Sequence, residues 1–132
     1  MELLRGADLG KVLSTAGPRR PEEVAWILGQ AAKALEKAHA LDIVHRDLKP
    51  ENLFVHIRED GGFVTKVVDF GIAKVRDDLR ASAGKRAAQT LNAVGTPLYM
   101  SPEQAKGPSP EDPPVGPACD IWAVGMMAFE LL

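Results

Sequence analysis

The chain has 132 residues, enough for one small domain with a core of its own. Its 45% apolar and 26% charged residues are ordinary for a globular protein, and a net charge of −2 leaves no basic footprint, so nucleic acid is not an expected partner. The single Cys119 excludes an internal disulfide and fits a cytoplasmic setting, no secretory leader is visible, and the longest apolar run, residues 121–132 broken by Glu130, falls short of the roughly 20 residues a bilayer span needs.

Residues 1–9 read as an apolar strand end with a glycine turn at Gly6. A short helix is predicted over residues 9–15, ended by Gly17-Pro18. Pro21 then opens a long helix, residues 21–41, with Glu22 and Glu23 facing its positive end. Val24, Ile27, Leu28, Ala31, Leu35 and Ala38 share one stripe of that helix at 3.6-residue spacing, so the stripe is core and not a binding surface. His39, near the helix end, reads as a packing or capping residue and not as a ligand.

Residues 43–57 place a compact polar loop between two β-favouring runs. Ile43-Val44 predicts a short strand leading in, and the loop carries an acid at Asp47, a base at Lys49 and an amide at Asn52. Residues 53–57 and 63–68 flank Glu59-Asp60-Gly61-Gly62, and the Asp-Gly pair predicts a hairpin. That hairpin would hold Asn52 at its entry and Asp69 at its exit, side by side. Asp69-Phe70-Gly71 follows, with Gly71 supplying backbone freedom. Residues 72–94 are polar and poor in apolar side chains, and would move unless tied down. Within them Ser82 and Thr90 are hydroxyl-bearing residues, which the resemblance drawn below makes candidate phosphorylation sites, Thr90 the better placed. Residues 107–117 hold five prolines and form a loop. A last helix, within residues 118–132, is apolar nearly all round and should be buried on all sides, with Asp120 at its start as an N-cap and Cys119 as a packing residue.

The string His45-Arg46-Asp47-Leu48-Lys49-Pro50-Glu51-Asn52, followed by Asp69-Phe70-Gly71, resembles the catalytic loop and the metal-binding loop of eukaryotic-type Ser/Thr protein kinases. Gly95-Thr96-Pro97-Leu98-Tyr99-Met100-Ser101-Pro102-Glu103 resembles the loop that seats the substrate in that family, with Ser101 in place of the usual Ala. The resemblance implies an α+β fold, a partial kinase domain spanning residues 1–132. It would be a mainly helical C-lobe with a small β-hairpin carrying both loops, and the N-lobe absent. In it residues 1–9 are the hinge, 69–103 the activation segment and 118–132 a buried helix.

The same resemblance implies roles. Phosphoryl transfer is mostly positioning and charge neutralisation. Asp47 would take the acceptor proton and Lys49 would sit near the transferring group. Asn52 and Asp69 would hold Mg2+, with Mn2+ as an alternative. Backbone groups of Glu2 and Leu4 would bind the adenine of ATP, Asp8 its ribose, and Phe54 would form the apolar floor. His45 would pack beneath Phe70. Arg46 would receive a phosphate on the activation segment, for instance at Thr90, and Thr96 would hydrogen-bond near Asp47 and Lys49. Glu103 would pair with a later Arg, of which this chain has none after that position. Asp120 would anchor the backbone of the catalytic loop.

Two functions follow from different classes. One is ATP-dependent phosphoryl transfer to Ser/Thr of protein substrates, within a longer kinase. The family's Gly-rich loop, phosphate-binding lysine and helix glutamate lie before the hinge, and no Gly-x-Gly-x-x-Gly occurs here. The isolated chain is therefore expected to be inactive, with the N-lobe and the remaining C-lobe helices supplied by a longer reading frame. The other is a non-catalytic remnant or interaction module.

Overall fold

The computed structural model describes residues 3–70, 97–107 and 114–132. Glu2, Gly71, Ser82, Thr90 and Thr96 lie outside the described residues.

The first element is β1 (Gly6–Asp8), followed directly by α1 (Leu9–Ala16). The Asp8 carboxylate caps α1 by accepting from the Lys11 amide at 2.9 Å, which satisfies one of the free amides of the first turn. Gly17, at φ +67, ends it.

The long helix α2 (Pro21–His39) starts where its sequence says it should: Pro21 occupies the first turn and Glu23 is ion-paired to Arg20 at 2.9 Å. It stops two residues earlier than the spacing predicts. Asp42 takes a left-handed φ of +56, and the Ile43 amide turns back to the Ala38 carbonyl at 2.9 Å. A short polar side chain tolerates that conformation, which closes a helix end. The expected stripe points inward, with Val24, Ile27, Leu28, Ala31 and Leu35 buried and Ala38 half-buried.

Ile43 and Val44 do not form the expected strand. Branched side chains favour extended backbone, but a strand also needs a hydrogen-bonding neighbour. No described residue pairs with them, and Ile43 is exposed.

The hairpin forms as expected from β2 (Leu53–Ile57) and β3 (Phe63–Val67), in antiparallel register from Leu53 opposite Val67 to Ile57 opposite Phe63. Its turn closes through Arg58 N–H to Gly62 O at 2.7 Å, and the Asp60 carboxylate accepts from the Gly62 amide at 2.8 Å. The hairpin is not alone. β1 adds a third strand along β2, with Gly6 opposite His56 and Asp8 opposite Phe54, so the sheet order is β1-β2-β3. Gly6 makes this pairing possible. Its φ is +136, and a Cβ there would lie 2.0 Å from the Val55 carbonyl oxygen.

After short 3-10 turns at Pro50–Asn52 and Pro97–Tyr99 come α3 (Pro102–Lys106) and α4 (Ala118–Leu131). α4 lies against α2, and Arg19 N–H reaches the Leu131 carbonyl at 2.7 Å. Among the described residues α4 is buried on one side only. Cys119, Ala123, Met127 and Leu131, four residues apart, face inward with Asp120, while Ile121, Trp122 and Phe129 stand in solvent, Phe129 at 83%. An all-apolar helix has no polar face to mark its outside. The packing partner selects the inner stripe.

Replacing Gly6 by Ala should cost roughly 1–3 kcal/mol, the scale of a strained φ/ψ, and loosen β1 from β2. Denaturant unfolding reads the cost; a loss below about 0.5 kcal/mol, the level of an ordinary surface change, would mean that β1 contributes little to the sheet.

Candidate active site

The polar loop after α2 hangs from one buried carboxylate. Asp120, 1% exposed in the first turn of α4, accepts from the His45 amide (Oδ2, 2.9 Å), the Arg46 amide (Oδ1, 2.9 Å) and the His39 ring (Oδ2 to Nε2, 2.7 Å). The Cys119 thiol adds a longer contact to Oδ1 at 3.6 Å. A buried carboxylate needs this many donors, because losing water is costly unless the charge is bonded. Burial, reinforced by the Asp120 charge, pushes the Cys119 thiol up to about 12. The thiol is therefore a poor nucleophile and packs as expected.

His45 is wholly buried and links the two loops. Its Nε2–H donates to the Val68 carbonyl at 3.1 Å, and its Nδ1 accepts from the Asp47 amide at 3.3 Å. A carbonyl can only accept and an amide N–H can only donate, so the two partners fix the Nε2–H tautomer. The ring also lies 5.0 Å from that of Phe70, tilted by 46°.

The hairpin register does the rest. The Val68 amide donates to the Asn52 carbonyl at 2.9 Å, one step beyond the Leu53–Val67 pair, and the next residue is Asp69. Asn52 and Asp69 are thus neighbours at the open end of the hairpin. The Asn52 side-chain oxygen is buried and has no hydrogen-bond partner among the described residues. It is one of four such side-chain atoms among the described residues, Arg19 Nε and Thr65 Oγ1 among the others, and a hard cation is the kind of partner that satisfies an amide oxygen. An amide oxygen and a carboxylate fit Mg2+ held jointly by protein, water and phosphate. Among the described residues no group of three or more His, Cys, Asp or Glu forms an all-protein metal cage.

Asp47 and Lys49 are surface groups, with Lys49 Nζ 3.9 Å from Asp47 Oδ2. The described residues include three non-glycine residues at positive φ, and two of them are Arg46 at +63 and Asp69 at +53. Non-glycine residues rarely hold that conformation, and those that do cluster where geometry serves function.

On the other side of the sheet corner, Phe54 and Leu4 are half-buried, and Phe54 is in register with Asp8. The Asp8 carboxylate is already engaged with the Lys11 amide and, at 3.2 Å, the Lys11 ammonium. The backbone hydrogen bond above all holds its carboxyl below the usual range. Glu103 is exposed on α3.

Two participants escaped the sequence reading. His39 reads in the sequence as packing or capping, yet it bonds the carboxylate from which the loop hangs. Gln104 carries no catalytic signal in the sequence. Its Nε2 donates to the Arg46 carbonyl at 2.7 Å. The spacing from Ser101 to Gln104 does carry a signal, that of a capping box.

Residues 1–132, the whole chain, match the protein kinase domain. The chain belongs to the protein kinase family. It is 39% identical over its full length to the serine/threonine-protein kinase pkn3 of Myxococcus xanthus and 42% identical to Pkn1 of the same organism. It is 34% identical to PknB of Mycobacterium tuberculosis. The aligned residues make up 23%, 17% and 19% of those proteins, so this kinase segment spans about a fifth of the curated relatives it matches.

Asp120→Ala in the kinase domain should lower stability by roughly 2–5 kcal/mol, because two buried amides and a ring N–H lose their acceptor together. Urea midpoints measure it. A cost under about 1 kcal/mol, that of one ordinary hydrogen bond, would show that the loop stands without the carboxylate.

Proposed function

We propose that this chain carries the catalytic and metal-holding loops of an ATP-dependent kinase acting on Ser/Thr of protein substrates, with activity residing in a longer protein. What supports the reading is the buried Asn52 side-chain oxygen, without a partner among the described residues, on a residue whose carbonyl is bonded by Val68, the neighbour of Asp69 in sequence. Asn52 and Asp69 would hold Mg2+, and ATP would reach them along Phe54 and the Leu4 backbone. Bound Mg2+ neutralises phosphate charge. Asp47 orients the acceptor hydroxyl and accepts its proton, and the Lys49 ammonium lies close enough to offset the growing charge. His45, tied to Val68 and in tilted ring contact with Phe70, keeps the two loops in step. Thr96 and the phosphate-accepting Thr90 belong to the proposal on family resemblance alone.

The acceptor is a protein hydroxyl, and the setting we propose is the cytoplasm, where Cys119 stays a thiol. No described helix is long and apolar enough to cross a membrane.

The test is transfer of labelled phosphate from ATP to a generic acceptor protein by the full-length protein containing this segment, with Mg2+ present. Asp47→Asn should lower the rate by about 10²–10⁴-fold, the usual contribution of a positioned acid or base. The labelled product should be phosphoserine and phosphothreonine. Phosphotyrosine would overturn the acceptor class, and unchanged transfer by Asp47→Asn would overturn the assignment of the base. The isolated 132 residues should transfer nothing; transfer by them that Asp47→Asn abolishes would overturn the dependence on a longer chain.

A further inference from the structure

We infer that Gln104 is a positioning residue for Asp47, acting through the peptide that joins Arg46 to Asp47; the inference rests on the reading of Asp47 as proton acceptor. Gln104 sits in α3, 58 residues from Arg46 in sequence, and its Nε2 donates to the Arg46 carbonyl at 2.7 Å. Its Oε1 accepts from the Ser101 amide at 3.1 Å and from the Ser101 hydroxyl at 3.2 Å. Only one orientation of the side-chain amide serves a carbonyl on one side and an amide N–H on the other, so the donor to Arg46 is assigned by chemistry.

That carbonyl belongs to a strained residue. Arg46 holds φ at +63, which a non-glycine residue keeps only under outside constraint. Its own amide is held by Asp120. The Asp47 amide, in the same peptide, reaches His45 Nδ1 at a long 3.3 Å. The bond from Gln104, at 2.7 Å, is shorter than the one from the Asp47 amide to His45. Without it, that peptide turns about the Arg46 ψ and Asp47 φ bonds, and the Asp47 carboxylate turns with it. Through this one bond the helix that follows the closing loop reports on, and sets, the direction of Asp47.

Gln104→Glu separates this role from helix capping. The carboxylate keeps the acceptor for Ser101 and loses the donor to Arg46, with no change in size. In the full-length kinase, kcat should fall about 10-fold or more, as a small misplacement of a reacting group does, with KM for ATP within about twofold. The Asp47 amide should exchange with solvent about 10-fold faster, while amides of α2 keep their protection, a sign of local opening and not of general unfolding. Gln104→Met, uncharged and of similar length, should repeat both effects, which excludes simple repulsion by the new carboxylate as their source. A kcat within about twofold of the parent in both variants, or Asp47 exchange no faster than in the parent, overturns the inference. The exchange measurement needs no turnover. If the parent itself transfers no phosphate, the functional reading fails while Gln104 is still decided.

Discussion

The site depends on a charge that the core would otherwise reject. Asp120 lies at 1% exposure, where an ionised carboxylate is tolerated only with a full set of donors. It has them: two consecutive backbone amides of the polar loop and the ring of His39. The requirement runs both ways. The loop satisfies the carboxylate, and the carboxylate fixes the loop. Because α4 is registered against α2 by Ala123, Met127 and Leu131, the loop inherits its position from the best-packed part of the molecule. His39 closes the arrangement from the end of α2, so both helices hold the same oxygen.

The second constraint is the hairpin register. A β-ladder has no intermediate settings, since a slip by one residue would flip every side chain to the other face. The buried Leu53 fixes that register. Once Leu53 faces Val67, the Val68 amide meets the Asn52 carbonyl and Asp69 emerges next to Asn52. Two of the three left-handed non-glycine residues described, Arg46 and Asp69, sit where the chain must leave these elements abruptly, and each is adjacent to a residue held by His45 or Asp120. Strain of this kind persists only when surrounding bonds over-determine it.

Much of this was legible in the sequence, for identifiable reasons. The inner stripe of α2 is written in its period, and Asp-Gly marks the hairpin before any strand is seen. The motif strings supplied the loop residues. What stayed hidden required partners. Gly6 reads locally as a breaker, and its place in β1 follows only once Val55 runs alongside. Ile43-Val44 has strand propensity, but propensity without a neighbouring strand produces none. α4 is apolar on every side, so its period could not tell which face turns in. The burial of Asp120 answers that, and burial is a tertiary fact. Gln104 and His39 make long-range bonds, and a single polar side chain gives no sign of a partner more than fifty residues away.

The polar loop itself shows how a display site is made from a buried segment. His45, Leu48, Pro50, Asn52 and Leu53 point into the protein, while Asp47 and Glu51 stay outside. The inward residues are of two kinds. Leu48 and Leu53 join the apolar core, and His45 and Asn52 are polar but enclosed. Apolar contacts hold a segment in place without fixing its rotation, since they have little directionality. Hydrogen bonds do fix it, and here they come from Asp120, Val68 and Gln104. The core therefore decides whether the loop is present, and the polar contacts decide where Asp47 points. Damage to one of those contacts should misdirect the carboxylate before it unfolds the chain.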